Sequence, residues 1–170
     1  MMEVKRFLNA LVILIICGVL TAAYAHQIFA KEDPCPLCLL QRIGMIGICT
    51  AALMNLCYGM HSKHYGMILI AAMFGMIISL RHIALHICPG FPKFGTPVLG
   101  LSLYTWAFIV FFLSILGAAV TLMLPCDKTK VEERTRLNWI EKIAAGYLLF
   151  LTFANVLTTY QICGFSPCQG

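Results

Sequence analysis

Five apolar stretches, at residues 7–29, 39–60, 67–87, 103–124 and 143–162, leave this 170-residue chain little choice of fold. Each is close to the ~20 residues that an α-helix needs to cross the hydrocarbon core of a bilayer. In hydrocarbon every backbone N–H and C=O must be paired within the segment, so stretches of this kind fold as helices. The sequence is 61% hydrophobic and 11% charged, against about 45–50% apolar residues in a soluble domain. The expected fold is therefore all-α: one polytopic membrane domain over residues 1–170, with about five transmembrane helices joined by short connections and packed antiparallel. The formal charge of +5 is read as topology rather than as nucleic-acid affinity. The sequence has no basic patch interleaved with aromatics, no Gly-rich phosphate loop, no low-complexity tract and no convincing repeat.

Orientation follows from the cations. With the N-terminus inside, eight fall on the cytoplasmic side: Lys5, Arg6, Lys63, Lys128, Lys130, Arg134, Arg136 and Lys142. Four fall outside: Lys31, Arg42, Arg81 and Lys93. That asymmetry predicts an N-in/C-out bundle. It puts Cys35, Cys38, Cys88, Cys163 and Cys168 on the outer side and Cys126 at the cytoplasmic rim. An oxidising compartment then holds the cysteines able to pair. Cys17, Cys49 and Cys57 fall inside apolar runs and read as small packing residues. Lys5, Arg6 and the run up to Ala23-Tyr24-Ala25 also have the outline of a secretory signal, but the run is long for one and is read as a retained span. The connector 127–142 mixes both charge signs and reads as a solvated cytoplasmic loop with Trp139 at the interface.

The chemistry is concentrated in Pro34-Cys-Pro-Leu-Cys-Leu-Leu-Gln-Arg42, between the first two spans. A Cys-x-x-Cys pair closes and opens a disulfide with little backbone movement. A helix starting just after it favours the thiolate that carries out exchange. Pro34 and Pro36 hold Cys35 extended, as the more exposed thiol; Cys38 sits in the first turn and points toward the bilayer. Zinc is the competing use of the motif, but it calls for a second pair at similar spacing. Arg42 is four residues after Cys38, one turn deeper on the same face. It reads either as a snorkelling interfacial cation or as a donor to the carbonyl of a membrane-dissolved acceptor. Gln41 either assists it or faces headgroups. His82 and His86 share a face at the end of the third span, beside Arg81 and Cys88. They read equally as polar packing or as ligands at the depth of Arg42. Cys163-Gly-Phe-Ser-Pro-Cys168 follows the fifth span. Gly164 and Pro167 allow a tight loop, so the pair reads as a structural staple or as a labile, exchanging disulfide.

The segment from Pro34 to Arg42 closely resembles the signature of the disulfide bond formation protein B (DsbB) family. Arg81-His-Ile-Ala-Leu-His-Ile-Cys-Pro89, Gly95-Thr-Pro-Val-Leu-Gly-Leu-Ser-Leu-Tyr-Thr-Trp106 and the Cys-Gly-Phe of the C-terminal segment extend the resemblance in the same order. It implies an inner-membrane quinone reductase that reoxidises a periplasmic, thioredoxin-fold thiol oxidase of the DsbA type. Cys35 and Cys38 would be the quinone-coupled pair, Arg42 the quinone-contacting arginine and His82 the histidine near the ring. The chain departs from that family's four-span pattern, in which a second redox pair sits between the third and fourth spans. Here that loop holds Cys88, and Cys163 and Cys168 after a fifth span are the expected substitute shuttle.

The expected function is thus a protein-dithiol:quinone oxidoreductase supporting disulfide formation. Cys35, Cys38, Cys163 and Cys168 exchange electrons, and Arg42 and His82 bind ubiquinone or menaquinone. The competing reading from another class is a non-catalytic metal- or haem-binding membrane protein using His82, His86 and Cys88, with Cys35 and Cys38 as a staple. A vitamin-K-epoxide-reductase-type enzyme, also a helical bundle with a Cys-x-x-Cys, is a closer rival but ranks low, because its redox pair normally lies later in the bundle.

Overall fold

The computed structural model describes residues 2–30, 35–87, 97–123 and 137–164. They form five helices: α1 (Met2–Ala30), α2 (Pro36–Tyr58), α3 (Ser62–Ile87), α4 (Leu103–Met123) and α5 (Trp139–Cys163). All five are long and apolar enough to cross a membrane, so the expectation of an all-α, multi-pass membrane bundle holds. Cys88, Cys126 and Cys168 lie outside the described residues.

α2 is the axis of the bundle and packs against each of the other four helices. Its neighbours fall into two groups. α3 and α4 pack together on one side, and α1 and α5 pack together on the other. Small residues make the first group possible. A Cβ at Gly75 would lie 2.2 Å from the Phe111 ring, and one at Gly44 would lie 3.1 Å from the Cα of Gly75. Backbones can approach this closely only where side chains are absent, the usual means of packing helices in lipid. Phe111 fills the resulting seam and is fully buried.

The inward faces follow helical periodicity. On α1, Arg6, Asn9, Ala10, Ile13, Cys17 and Leu20 are buried; on α5, Glu141, Ala144, Leu148, Leu151 and Asn155 are. Cys17 and Cys49 are fully buried in the core, as their apolar context predicts. Large apolar side chains such as Ile70, Phe150 and Phe153 face outward, where lipid takes the place of core.

Four helices begin before the apolar runs do. α1 starts at Met2, α2 at Pro36, α3 at Ser62 and α5 at Trp139, because first turns outside the apolar run continue the same backbone. At α5 this changes the reading of the connector. Glu141, expected in a solvated loop, is buried and makes a bidentate ion pair with buried Arg6, at 3.1 and 2.7 Å. The backbone N–H of Asn138 also donates to the Glu141 carboxylate at 2.8 Å, fixing the helix start. Asn9, Asn55, His64 and Tyr65 extend this polar layer across α1, α2 and α3. At the opposite end of the bundle lie the N-terminus of α2 and the C-termini of α1, α3 and α5.

Before α4, Val98 and Leu101 close a two-residue turn, with φ positive at Leu99 and Gly100 (51° and 79°). The indole N–H of Trp106 donates to the Val98 carbonyl at 3.0 Å and ties the turn to the helix. This accounts for part of the Gly95–Trp106 motif as structure.

Candidate functional site

Pro36 occupies the first helical position of α2, where its missing N–H costs nothing. Cys35 is the residue before it, in extended conformation (φ −67°, ψ 159°). Its carbonyl accepts from the N–H of Cys38 at 2.9 Å and of Leu39 at 3.2 Å. Its sulfur accepts from the Cys38 N–H at 3.3 Å. Cys35 therefore caps the helix with its own thiol sulfur. The helix in turn brings Cys38 round, so that the two sulfurs are hydrogen-bonded 3.0 Å apart as a free dithiol. Both cysteines are half-buried.

His82 arrives from α3 and is 1% exposed. Its Nε2 stands 3.8 Å from Cys35 Sγ, and the side-chain NH2 of Gln41 donates to its Nδ1 at 3.5 Å. An Nδ1 that accepts from Gln41 would carry the ring proton on Nε2, facing the Cys35 sulfur. The Cys35 thiol is held down to about 4, first by its hydrogen bond to the Cys38 side chain and then by His82 and the Cys38 N–H, with burial opposing. Cys35 is thus the thiolate of the pair at neutral pH.

The His82 ring packs against Tyr104 of α4 (centroids 4.6 Å apart) and His86 (4.9 Å). His86 donates from Nδ1 to the His82 carbonyl at 2.9 Å. Of the expected ligand set His82, His86 and Cys88, the last lies outside the described residues. The donor atoms that do come together are those of Cys35, Cys38 and His82, all within 4.8 Å of one another.

Arg42 is buried on the side of α2 that faces α1. Its Nη2 donates to Gln27 Oε1 at 3.1 Å, and its guanidinium lies over the Tyr24 ring, 4.2 Å from the centroid. The Tyr24 hydroxyl donates to Asn155 Oδ1 of α5 at 3.2 Å. Among the described residues, buried Arg42 Nη1 and Ser79 Oγ meet no hydrogen-bond partner. A buried guanidinium N–H with no acceptor is expensive, and it fits an acceptor oxygen such as a quinone carbonyl. Sequence spacing put Arg42 and His82 at one depth. The described contacts direct them to different sides of α2, and Gln41 is the residue that meets His82.

Cys163 ends α5 and is disulfide-bonded. The expected pairing with Cys168 lies outside the described residues. Tyr24, Gln27, Ser79 and Tyr104 were not singled out from the sequence. Tyr24 and Gln27 meet Arg42, and Tyr104 meets His82, across helix–helix contacts that no local spacing marks.

A sequence model described as disulfide bond formation protein DsbB matches residues 5–93. The chain is 33% identical over 89 residues to the disulfide bond formation protein B of Marinobacter nauticus, a match covering 50% of this chain and 53% of that protein. The chain thus spans about half the length of the curated relative it matches. No solved structure matches it. The matched region holds the dithiol, Arg42 and His82; α4, α5 and Cys163 lie beyond it.

Proposed function

We propose a function from one premise: this chain belongs to the disulfide bond formation protein DsbB family. On that premise it is a dithiol:quinone oxidoreductase of a bacterial inner membrane, with the Cys35 end of the bundle facing the periplasm. Its protein substrate is a thioredoxin-fold thiol oxidase of the DsbA type. The observation that carries this reading is the Cys35–Cys38 dithiol, 3.0 Å apart at a helix start, with the His82 Nε2 3.8 Å away.

The residues divide the work. The partner's thiolate attacks the disulfide at Cys163, expected to be shared with Cys168, and the resulting dithiol reduces Cys35–Cys38 by a second exchange. Each exchange breaks one disulfide, forms another and moves two electrons. Cys35 accepts charge readily as a leaving sulfur, because the Cys38 side chain, the N–H of Cys38 and His82 stabilise its thiolate. A stabilised thiolate favours the dithiol over the disulfide, which makes Cys35–Cys38 a strong electron acceptor. Gln41 holds the His82 ring in the tautomer that donates to Cys35. Arg42, oriented by Gln27 and Tyr24, offers its free Nη1–H to an acceptor carbonyl oxygen. Ubiquinone or menaquinone, when bound, supplies the two-electron acceptor that regenerates the Cys35–Cys38 disulfide.

The test is anaerobic mixing of the purified chain with a reduced DsbA-type protein and each quinone in turn. Quinol should form in step with partner oxidation. Partner oxidation with no quinol formed would place the electron acceptor elsewhere.

A further inference from the structure

The three donors that meet at the head of α2 also make a site that dithiol chemistry does not require. We propose that the reduced chain binds one thiophilic d10 cation, of the Zn2+ class, through Cys35 Sγ, Cys38 Sγ and His82 Nε2. The three atoms lie within 4.8 Å of one another, with Cys35 Sγ 3.0 Å from Cys38 Sγ and 3.8 Å from His82 Nε2. Zinc bonds of ~2.3 Å to sulfur and ~2.0 Å to nitrogen set a tetrahedral edge of roughly 3.5–3.8 Å between donors. The Cys35 Sγ–His82 Nε2 spacing of 3.8 Å is already close to that edge, and Cys38 Sγ lies within 4.8 Å of the same nitrogen. The sulfurs need to part by less than an ångström (~0.8 Å on those bond lengths), which a small rotation about either Cα–Cβ bond supplies.

Two thiolates and an imidazole form a soft donor set, which selects Zn2+ or Cu+ over Mg2+ or Ca2+. Three protein ligands leave the fourth position of a tetrahedron open. The half-buried cysteines at the helix start give that position access from the water side, and buried His82 closes the back. Gln41 serves this role as well as the redox one. Its amide donates to His82 Nδ1 in the free dithiol. Turned over, its oxygen accepts from Nδ1–H and frees the Nε2 lone pair for the metal, the outer contact that metal-bound histidines usually have. Binding displaces the remaining thiol proton, moves the imidazole proton from Nε2 to Nδ1 and transfers no electrons. It needs both thiolates, so the Cys35–Cys38 disulfide cannot bind. The cation therefore recognises one redox state and holds the chain in it.

Cobalt(II) provides the probe, because thiolate-to-cobalt charge transfer is visible and zinc is silent. The full chain in detergent is titrated with Co2+ in its reduced and oxidised forms, followed by Zn2+. Reduced protein should develop the band with one equivalent of Co2+ and lose it to Zn2+. Protein carrying the Cys35–Cys38 disulfide should show none. Zn2+ should also protect Cys35 and Cys38 from alkylation, read by mass spectrometry, and His82→Ala should weaken Co2+ at least tenfold. A band of equal strength in oxidised protein, in Cys38→Ser, or in neither redox state of the wild type would overturn the proposal. The oxidised wild type requires no substitution, so the comparison stands even where a variant fails to fold. The readouts are spectroscopic and chemical, so they hold whether or not the chain turns over quinone.

Discussion

His82 Nε2 lies 3.8 Å from Cys35 Sγ, although 47 residues and a whole transmembrane helix separate them in sequence. α2 starts at the cysteines and runs away from them; α3 returns and delivers the histidine to the same end. The Gly44–Gly75–Phe111 seam sets how closely the two helices approach. The Cys35–Cys38 dithiol and the His82 imidazole are thus brought together through helix packing.

The first prediction concerns pH. Cys35 is held at about 4, against 9.0 for an ordinary thiol. A depressed pKa stabilises the folded reduced chain fully above pH 9.0, and that contribution is lost as pH falls toward 4. The same linkage acts on the redox couple. Between those limits one proton accompanies two electrons, so the Cys35–Cys38 potential should fall by about 30 mV per pH unit, steepening to about 60 mV below pH ~4. Thiolate absorbance should titrate with a midpoint near 4 in the wild type and higher in His82→Ala. A slope of about 60 mV per unit throughout neutral pH would show that Cys35 is an ordinary thiol.

Arg42→Leu should slow quinone reduction by about 10²-fold, the usual cost of removing a donor aimed at developing charge. Thiol exchange with the partner should change little. Tyr24→Leu and Gln27→Leu should raise the KM for quinone with a smaller effect on kcat, because they hold the guanidinium rather than touch the acceptor. Equal loss in both half-reactions would place the acceptor away from Arg42.

At the other end of the bundle, Glu141→Gln should destabilise the chain by up to about 3–5 kcal/mol, because it takes the carboxylate charge away from the buried Arg6 guanidinium. Replacing both partners by apolar residues should cost much less. Denaturation in mixed micelles, read as a double-mutant cycle, measures the difference.

The fold was largely legible because hydropathy and helix length are read directly from sequence in a membrane protein. Five apolar runs correspond to five helices, and four of the helices begin a turn or so before the run does. The dithiol was legible too, since Pro36 and the two cysteines are neighbours in sequence. What escaped reading depends on rotation about helix axes. Arg42 follows Gln41 by one residue, about 100° around the helix, and that step sends it to Gln27 and Tyr24 while Gln41 turns to His82. Arg6 and Glu141 are 135 residues apart, and nothing local in either marks the partner.

Cys163→Ser with Cys168→Ser should block oxidation of the partner yet leave quinone reduction by a chemically reduced Cys35–Cys38 pair intact. A mixed disulfide trapped between the partner and either cysteine would identify the shuttle. Unchanged partner oxidation in the double variant would make the pair a staple and send the partner to Cys35 directly.

The most direct measurement of the central claim is a single turnover of that same double variant. Its Cys35–Cys38 pair is reduced, freed of reductant and mixed anaerobically with excess quinone. Quinol and alkylatable thiols are then counted together. One quinol should appear for each pair of thiols lost, with the loss mapped by mass spectrometry to Cys35 and Cys38, and Cys38→Ser should form none. Quinol formed while both cysteines remain alkylatable, or formed equally by Cys38→Ser, would contradict the assignment of Cys35 and Cys38 as the quinone-coupled pair.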